Sequence, residues 1–448
     1  MKRVFSLFTI IVFCVVNYTN ALCEEIEKLY VYGKGAAGDW NNPEFNAAYP
    51  FVEIEGSEEL GVSNAADLIT MLLTKEAYDI YAINYANCNF AAVRDKGYAL
   101  DLGQDSEITL NISMMYDFLS CVLADGTSIY GIPIGITCKQ WGISRGVWKL
   151  INETAGFQIP TNYNEMFVFF EWWIENGQFN YPDVYLIKNS TNIKKDIINI
   201  LTKQILDLAW SERSADILLS QDVKNVFQYL ESLNFENLDT YVADDSGNEK
   251  KCIFDLACDW ADLAEYGEEY TFDPLPLRLS DDTYLGIPVD IRVMFVNSAT
   301  PLRDESIAFL RYFMEKQDSI SNILIYNTEH TPIENPYIKK RMSEAQQTLQ
   351  EYLEKDKKAY ASEIDVVNKR IEYLDSIRWL VPESGIYEYR TIATLLFVRE
   401  YNPIYMNCEE KASGLNKYIE YFCIGRISSQ QFFSEIYRLF CYALLEEK

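Results

Sequence analysis

In the first half of the chain, short apolar runs alternate with segments whose apolar residues recur at helical spacing, and this order restricts the fold more than any other feature. Strand-like runs at 29–32, 51–54, 79–83, 128–134 and 184–188 are separated by helical patterns at 64–73, 89–96, 112–123 and 195–208. Such alternation predicts a mostly parallel sheet with helices packed on its faces. Asn162 with Glu165 three positions on marks a helix start; Phe167, Phe170 and Trp173 follow, and Gly177 is its expected end. Trp172 and Trp173 read as core. Strands follow at 251–257, 271–277 and 284–296. Beyond Pro301 the pattern turns helical, at 304–316, 337–355, 362–377, 387–400 and 415–421, with a last helix opening at Ser428. A chain of 448 residues exceeds what one hydrophobic core usually organises, so two lobes are expected. No linker or repeat separates them, which implies that the chain crosses between lobes more than once.

Residues 1–21 have the form of a secretory signal: Lys2 and Arg3, an apolar run over 5–16, then polar residues and small ones at Thr19 and Ala21. The expectation is an exported protein at the outer face of the cytoplasmic membrane or in the periplasm, with Cys23 a candidate for lipidation. Leu22 before it departs from the small residue that lipoprotein processing favours. The formal net charge of −28, spread along the chain, opposes binding to phosphate backbones or anionic lipid, so no nucleic-acid partner is expected. Ten cysteines contain no Cys-x-x-Cys pair, and the single histidine is His330, so neither a zinc site nor an imidazole relay is implied. Cys252 and Cys258, six steps apart in a strand, are out of disulfide reach, and most of the thiols read as buried and free.

Two motifs have catalytic associations. Gly33-Lys34-Gly35-Ala36-Ala37-Gly38 has the spacing of a dinucleotide fingerprint, but Asp39-Trp40-Asn41-Asn42-Pro43 supplies no apolar helix to receive a pyrophosphate. It reads as a loop at the edge of a cleft, and no cofactor is implied. Gly142-Ile143-Ser144-Arg145-Gly146 has the form of a nucleophile elbow between a strand and a helix. Its base would have to be His330 and its acid a residue such as Asp290.

The order of segments resembles the family 1 extracellular solute-binding proteins of bacterial ABC importers, the group that includes maltose-binding protein. The resemblance runs along nearly the whole chain after the leader. It is carried by Tyr49-Pro50-Phe51-Val52-Glu53-Ile54, Tyr78-Asp79-Ile80-Tyr81, Lys96-Gly97-Tyr98-Ala99-Leu100-Asp101-Leu102 and the approach 125–133 to the first lobe crossing. The pieces 159–165 and 306–313 continue it. It implies a periplasmic-binding-protein-like α/β fold of type II: two α/β lobes, hinge strands and a helical C-terminal region. Lobe 1 would hold 22–136 and about 288–328, and lobe 2 would hold 137–287 and about 329–448, with hinges near 133–137, 285–290 and 328–332. The implied function is non-catalytic: capture of a small solute, a sugar or oligosaccharide, between the lobes and delivery by a monomer to the permease subunits.

Cleft residues then follow from strand ends. In lobe 1 they are Lys34, Asp39, Trp40, Asn84 and Tyr85; at the crossing Thr137, Lys139 and Trp141; in lobe 2 Asn189, Asn192, Asp259, Trp260, Tyr387 and Tyr389. Aromatic faces would stack on sugar rings while amides and carboxylates take the hydroxyls. The long helical stretch 337–377 and the glycine-rich loop after the first strand depart from the family, so maltose-like specificity is not carried over. Two alternatives stay open: an exported serine hydrolase using Ser144 and His330, and a surface adhesin with a receptor fold.

Overall fold

The computed structural model describes residues 27–33, 43–50, 52–56, 64–74, 78–236, 238–241, 250–259, 272–281, 283–355, 359–376, 378–406 and 414–446. The leader, Cys23 and the glycine-rich loop 34–42 lie outside them. The chain opens with β1 (Glu27–Tyr32), β2 (Val52–Gly56) and β3 (Ile80–Asn84), and β1 pairs in parallel with both of the others. On β1, Leu29 and Val31 are fully buried while Tyr30 is exposed, the period-two pattern of a strand with one covered face. Between these strands, Asn64 caps the helix Ala65–Leu73 by accepting the Asp67 amide at 3.0 Å. Asn89, in a left-handed conformation at φ 48°, caps Phe90–Asp95.

A small hairpin of β4 (Ala124–Asp125) and β5 (Ser128–Ile129) turns at Asp125-Gly126 and leads into β6 (Ile132–Thr137). The chain then passes into a second sheet through β7 (Gln140–Ser144), later joined by β8 (Val184–Ile187), β9 (Lys251–Cys258) and β10 (Phe272–Pro274), in the order β10-β7-β9-β8. It returns along β11 (Ile287–Val296), which pairs with β3, β6 and later β14 (Leu396–Val398). The first sheet therefore has the path β14-β11-β3-β1-β2, with β6 also on β11. Both sheets are mixed rather than mostly parallel. The crossing strand β11 is antiparallel to β3 and β6, and β7 is antiparallel to β9 and β10, because strands that arrive from the other lobe run against those built by local crossovers.

Each sheet carries its own core. In the first, Tyr81 stacks on Phe295 at 5.3 Å between centroids. In the second, Phe254 meets Trp141, Trp148, Phe169 and Phe170, which is where the aromatic content goes. Trp173 is buried as expected, but Gly177 does not end its helix. Tyr163–Trp172 continues through a π-helical turn at Trp173–Gly177, and a Cβ on Gly177 would stand 2.2 Å from the Trp173 ring. The glycine is there for close approach to that ring.

The third crossing differs from expectation. β13 (Trp379–Val381), which pairs with β12 (Ile333–Glu334), the helix Glu383–Ala393 and β14 all belong to the first core, through Val381, Ile386, Tyr389, Leu396 and Val398. Second-core residues resume only at Ile404. The chain thus crosses at about 399–402 rather than 328–332, and the predicted helix 387–400 is broken because its second half completes the first sheet beside β11. Helices Pro336–Glu354 and Ala361–Ser376 form a hairpin on the β12–β13 stem with a small core of Ile338, Ala345 and Leu374. The last helix, Ser429–Glu446, opens on a reciprocal cap: Gln431 N donates to Ser428 Oγ at 3.3 Å and Ser428 N to Gln431 Oε1 at 3.0 Å. No helix among the described residues is long and apolar enough to cross a membrane.

Candidate functional site

The second sheet builds one side of a cleft at its crossing edge. β8 and β9 are parallel, so their carboxyl ends, Lys188-Asn189 and Asp255-Leu256-Ala257, emerge together, and antiparallel β7 begins at that edge with Gln140 and Trp141. The helix Ile193–Ser211, capped by Asn192, lays Asp196, Asn199, Ile200, Lys203 and Gln204 along a second wall. The segment 275–277 and the start of β11 at Ile287, Pro288 and Asp290 close it, with Arg399 from the third crossing. The enclosed volume is about 430 Å³, inside the range of roughly 300–1,000 Å³ usual for small-molecule sites.

Several lining groups are fixed by one another. Trp141 Nε1 donates to Tyr163 Oη at 3.2 Å, and the Tyr163 hydroxyl donates to Gln204 Oε1 at 3.4 Å. Gln204 Nε2 donates to the Gly286 carbonyl at 3.0 Å, tying the helix to the return strand. Ser190 Oγ donates to Asp196 at 2.6 Å. The Gln140 amide is buried, and neither its nitrogen nor its oxygen has a hydrogen-bond partner among the described residues.

The charged centre is at the hinge. Arg399 donates from Nε to Asp207 Oδ2 at 2.9 Å and from Nη1 to Asp290 Oδ2 at 2.6 Å, while its backbone amide bonds Val289. The Tyr405 hydroxyl donates to the other oxygen of Asp207. Asp207 is only 1% exposed, and burial pushes its carboxyl up to about 6 against the opposing pull of Arg399 and the Tyr405 hydrogen bond. At Arg399 burial works the other way, against the cation. Asp207 and Asp290 outweigh it, and the guanidinium stays above its ordinary value. Beside them, burial and then Asp259 push the Cys138 thiol up to about 12.

The residues expected from sequence fall into four groups. Trp141, Asn189 and Lys139 line the cleft. Thr137, opposite Asp290 in the β6–β11 register, and Asp259, which accepts the Cys138 amide at 3.4 Å, stand at the crossing but do not line it. The others are placed elsewhere. Asn84 accepts the Asn87 amide at a turn, Tyr85 is buried against Phe90, and Asn192 caps its helix by accepting the Lys195 amide. Tyr387 is 74% exposed, and Tyr389 is fully buried with its hydroxyl on the Leu324 carbonyl at 2.9 Å. Helical spacing put Tyr387 and Tyr389 on one turn, but they point to opposite sides of it. Lys34, Asp39, Trp40 and Trp260 lie outside the described residues. Sequence reasoning missed Asp207, Arg399 and Gln204, and reached Asp290 only as a candidate triad acid. The available signal was Asp207, a carboxylate in the apolar stripe of a helix.

The hydrolase reading loses its geometry. Ser144 is fully buried and caps the helix Arg145–Ala155, its hydroxyl accepting the Val147 amide at 3.5 Å. His330 Nε2 donates to the Tyr326 carbonyl at 2.8 Å.

No protein-family profile matches the chain, and no curated protein does. Solved structures do. The cyclic α-maltosyl-1,6-maltose binding protein of Arthrobacter globiformis matches with a TM-score of 0.57 at 14% identity, over 93% of this chain and 98% of that one. The galacto-N-biose-/lacto-N-biose I-binding protein of an ABC transporter from Bifidobacterium longum, in complex with lacto-N-biose, gives 0.55 at 12%, over 93% and 96%. A family 1 extracellular solute-binding protein from Bifidobacterium longum subsp. infantis gives 0.52 at 14%, over 93% and 99%. The expected architecture is therefore present: a two-lobed α/β fold of the type II periplasmic-binding-protein kind, whose neighbours are binding proteins rather than enzymes.

Proposed function

We propose that this chain is an extracytoplasmic solute-binding protein that captures a saccharide in the cleft at the lobe crossing and delivers it to an ABC permease. The observation that carries the reading is the placement of that cleft. It opens at the carboxyl ends of β8 and β9, where α/β sheets bind ligands, and it is walled by the strand on which the chain returns to the other lobe. Its lining mixes Trp141, Leu256, Leu275 and Pro276 with amides, carboxylates and cations, the combination that packs the apolar face of a sugar ring and hydrogen-bonds its hydroxyls. Structural neighbours that bind sugars support the same ligand class. Export by the leader 1–21, action as a monomer and hand-over to a permease complete the proposal.

Thermal unfolding of the purified chain with a panel of saccharides tests it. A ligand at about 100 times its Kd stabilises the native state by about 2.7 kcal/mol, so one class of saccharide should raise Tm by several degrees. A panel without effect, beside a clear response to amino acids or polyamines, would sink the saccharide reading.

A further inference from the structure

Arg399 and Asp290 stand on two different crossings, and both reach the cleft wall. Of the five N–H groups of a guanidinium, Arg399 uses one toward Asp207 and one toward Asp290. The remaining three have no protein acceptor among the described residues, although the side chain is 23% exposed. Asp290 is 27% exposed, and Arg399 takes only its Oδ2, which leaves Oδ1 as an acceptor. The wall thus offers N–H donors and a carboxylate acceptor side by side, the pattern that recognises two adjacent hydroxyls, one accepting and one donating.

The charge of Arg399 is already met by two carboxylates, so the group as a whole carries one excess negative charge. Around it Lys139, Lys188 and Lys203 stand against Asp196 and Asp255, so the cations and carboxylates of the cleft balance and no net positive charge is left to select an anionic ligand. Asp207 reaches the same guanidinium from the helix Ile193–Ser211, is buried, and is itself held by Tyr405. It is closed off from the cleft contents and acts on them only by fixing the plane of Arg399.

We propose that Arg399 and Asp290 are the polar anchor of the cleft, binding adjacent hydroxyls of an uncharged saccharide, and that Asp207 is the positioning residue that orients Arg399 for this contact. The anchor lies where both crossings meet the second lobe, so a ligand held there also braces the hinge. This rests on the saccharide reading above and adds the residues and the charge class.

The test is calorimetric titration of the full chain with lactose, lacto-N-biose and maltotetraose, and with sialyllactose and a galacturonic acid disaccharide as acidic counterparts. The anchor predicts binding of an uncharged member, with an acidic counterpart at least tenfold weaker. Arg399→Lys, which keeps a cation but loses the fork, and Asp290→Asn should each weaken that binding by tenfold or more. Asp207→Ala, which removes the acceptor that holds the Arg399 plane, should weaken binding to the folded protein by about as much, while Asp207→Asn, which keeps that acceptor, should bind within threefold of the parent, a rescue that tracks the hydrogen bond to Arg399. Affinity within threefold of the parent in both Arg399→Lys and Asp290→Asn, or tighter binding of the acidic sugars, overturns the inference while leaving the saccharide reading intact. If either variant fails to fold, the other decides. Failure of the parent chain to bind any sugar in the panel removes the saccharide reading itself.

Discussion

Asp207→Asn separates two opposite views of the hinge. A buried ion pair is commonly expected to stabilise, and removing one partner often costs about 3–5 kcal/mol because the other charge is stranded. Here Arg399 keeps Asp290, so no charge is stranded. Asn also preserves the hydrogen bonds: its oxygen can accept from Arg399, and its NH2 can donate to the Tyr405 hydroxyl, which turns to accept. What the substitution removes is a carboxylate that is 1% exposed and whose folded pKa is raised from 3.8 to about 6 by burial. A carboxyl with a raised folded pKa binds protons more readily folded than unfolded. Its ionisation therefore costs stability as pH rises through about 6, and the cost vanishes below the unfolded value near 4. Two units correspond to about 3 kcal/mol. Asn resembles the protonated form at every pH, so the variant should match the parent at pH 4 and exceed it at pH 8. For lobes of this size that difference is on the order of 5–10 °C in Tm. The assay is differential scanning calorimetry of both proteins from pH 4 to pH 8, in which shared titrations cancel. A variant less stable than the parent at pH 8, with the deficit closing in acid, would reverse this sign and make the ion pair a net stabiliser.

Three further outcomes follow from individual contacts. Gly177→Ala would place a methyl group into the Trp173 ring, and the strain should exceed the gain of about 1 kcal/mol from helix propensity, for a net loss of about 1–2 kcal/mol in calorimetry. Tyr389→Phe removes the bond to the Leu324 carbonyl and should cost about 1 kcal/mol in Tm-derived stability with no change in saccharide affinity, since the ring lies in the first core. A serine-reactive phosphonate should leave the parent chain unlabelled by mass spectrometry, because Ser144 is fully buried as a helix cap.

What the sequence made legible was local. Asn64, Asn162 and the Ser428–Gln431 pair announce helix starts that the structure keeps, and the apolar runs of β1, β3 and β9 are strands because their side-chain spacing leaves little else. Strand direction was less visible. β11 and β7 carry no mark of running antiparallel, because the direction is set by which lobe the chain comes from. The third crossing was misplaced for a related reason: 396–398 has ample apolar content for a helix, and it becomes β14 only because the edge of β11 is open to it. In the cleft, Trp141 and Asn189 were reached from strand ends, a rule that works because backbone geometry fixes where such ends lie. Arg399 and Asp207 were not, since 192 residues separate them and nothing local to either signals the other.

Whether the cleft holds a sugar is tested most directly by mass spectrometry of small molecules released on denaturing the chain purified without dialysis from cells supplied with mixed oligosaccharides. An uncharged saccharide at close to one per chain, greatly reduced in Asp290→Asn, is expected. An amino acid, polyamine or anionic solute at that stoichiometry, retained equally by Asp290→Asn, would contradict it.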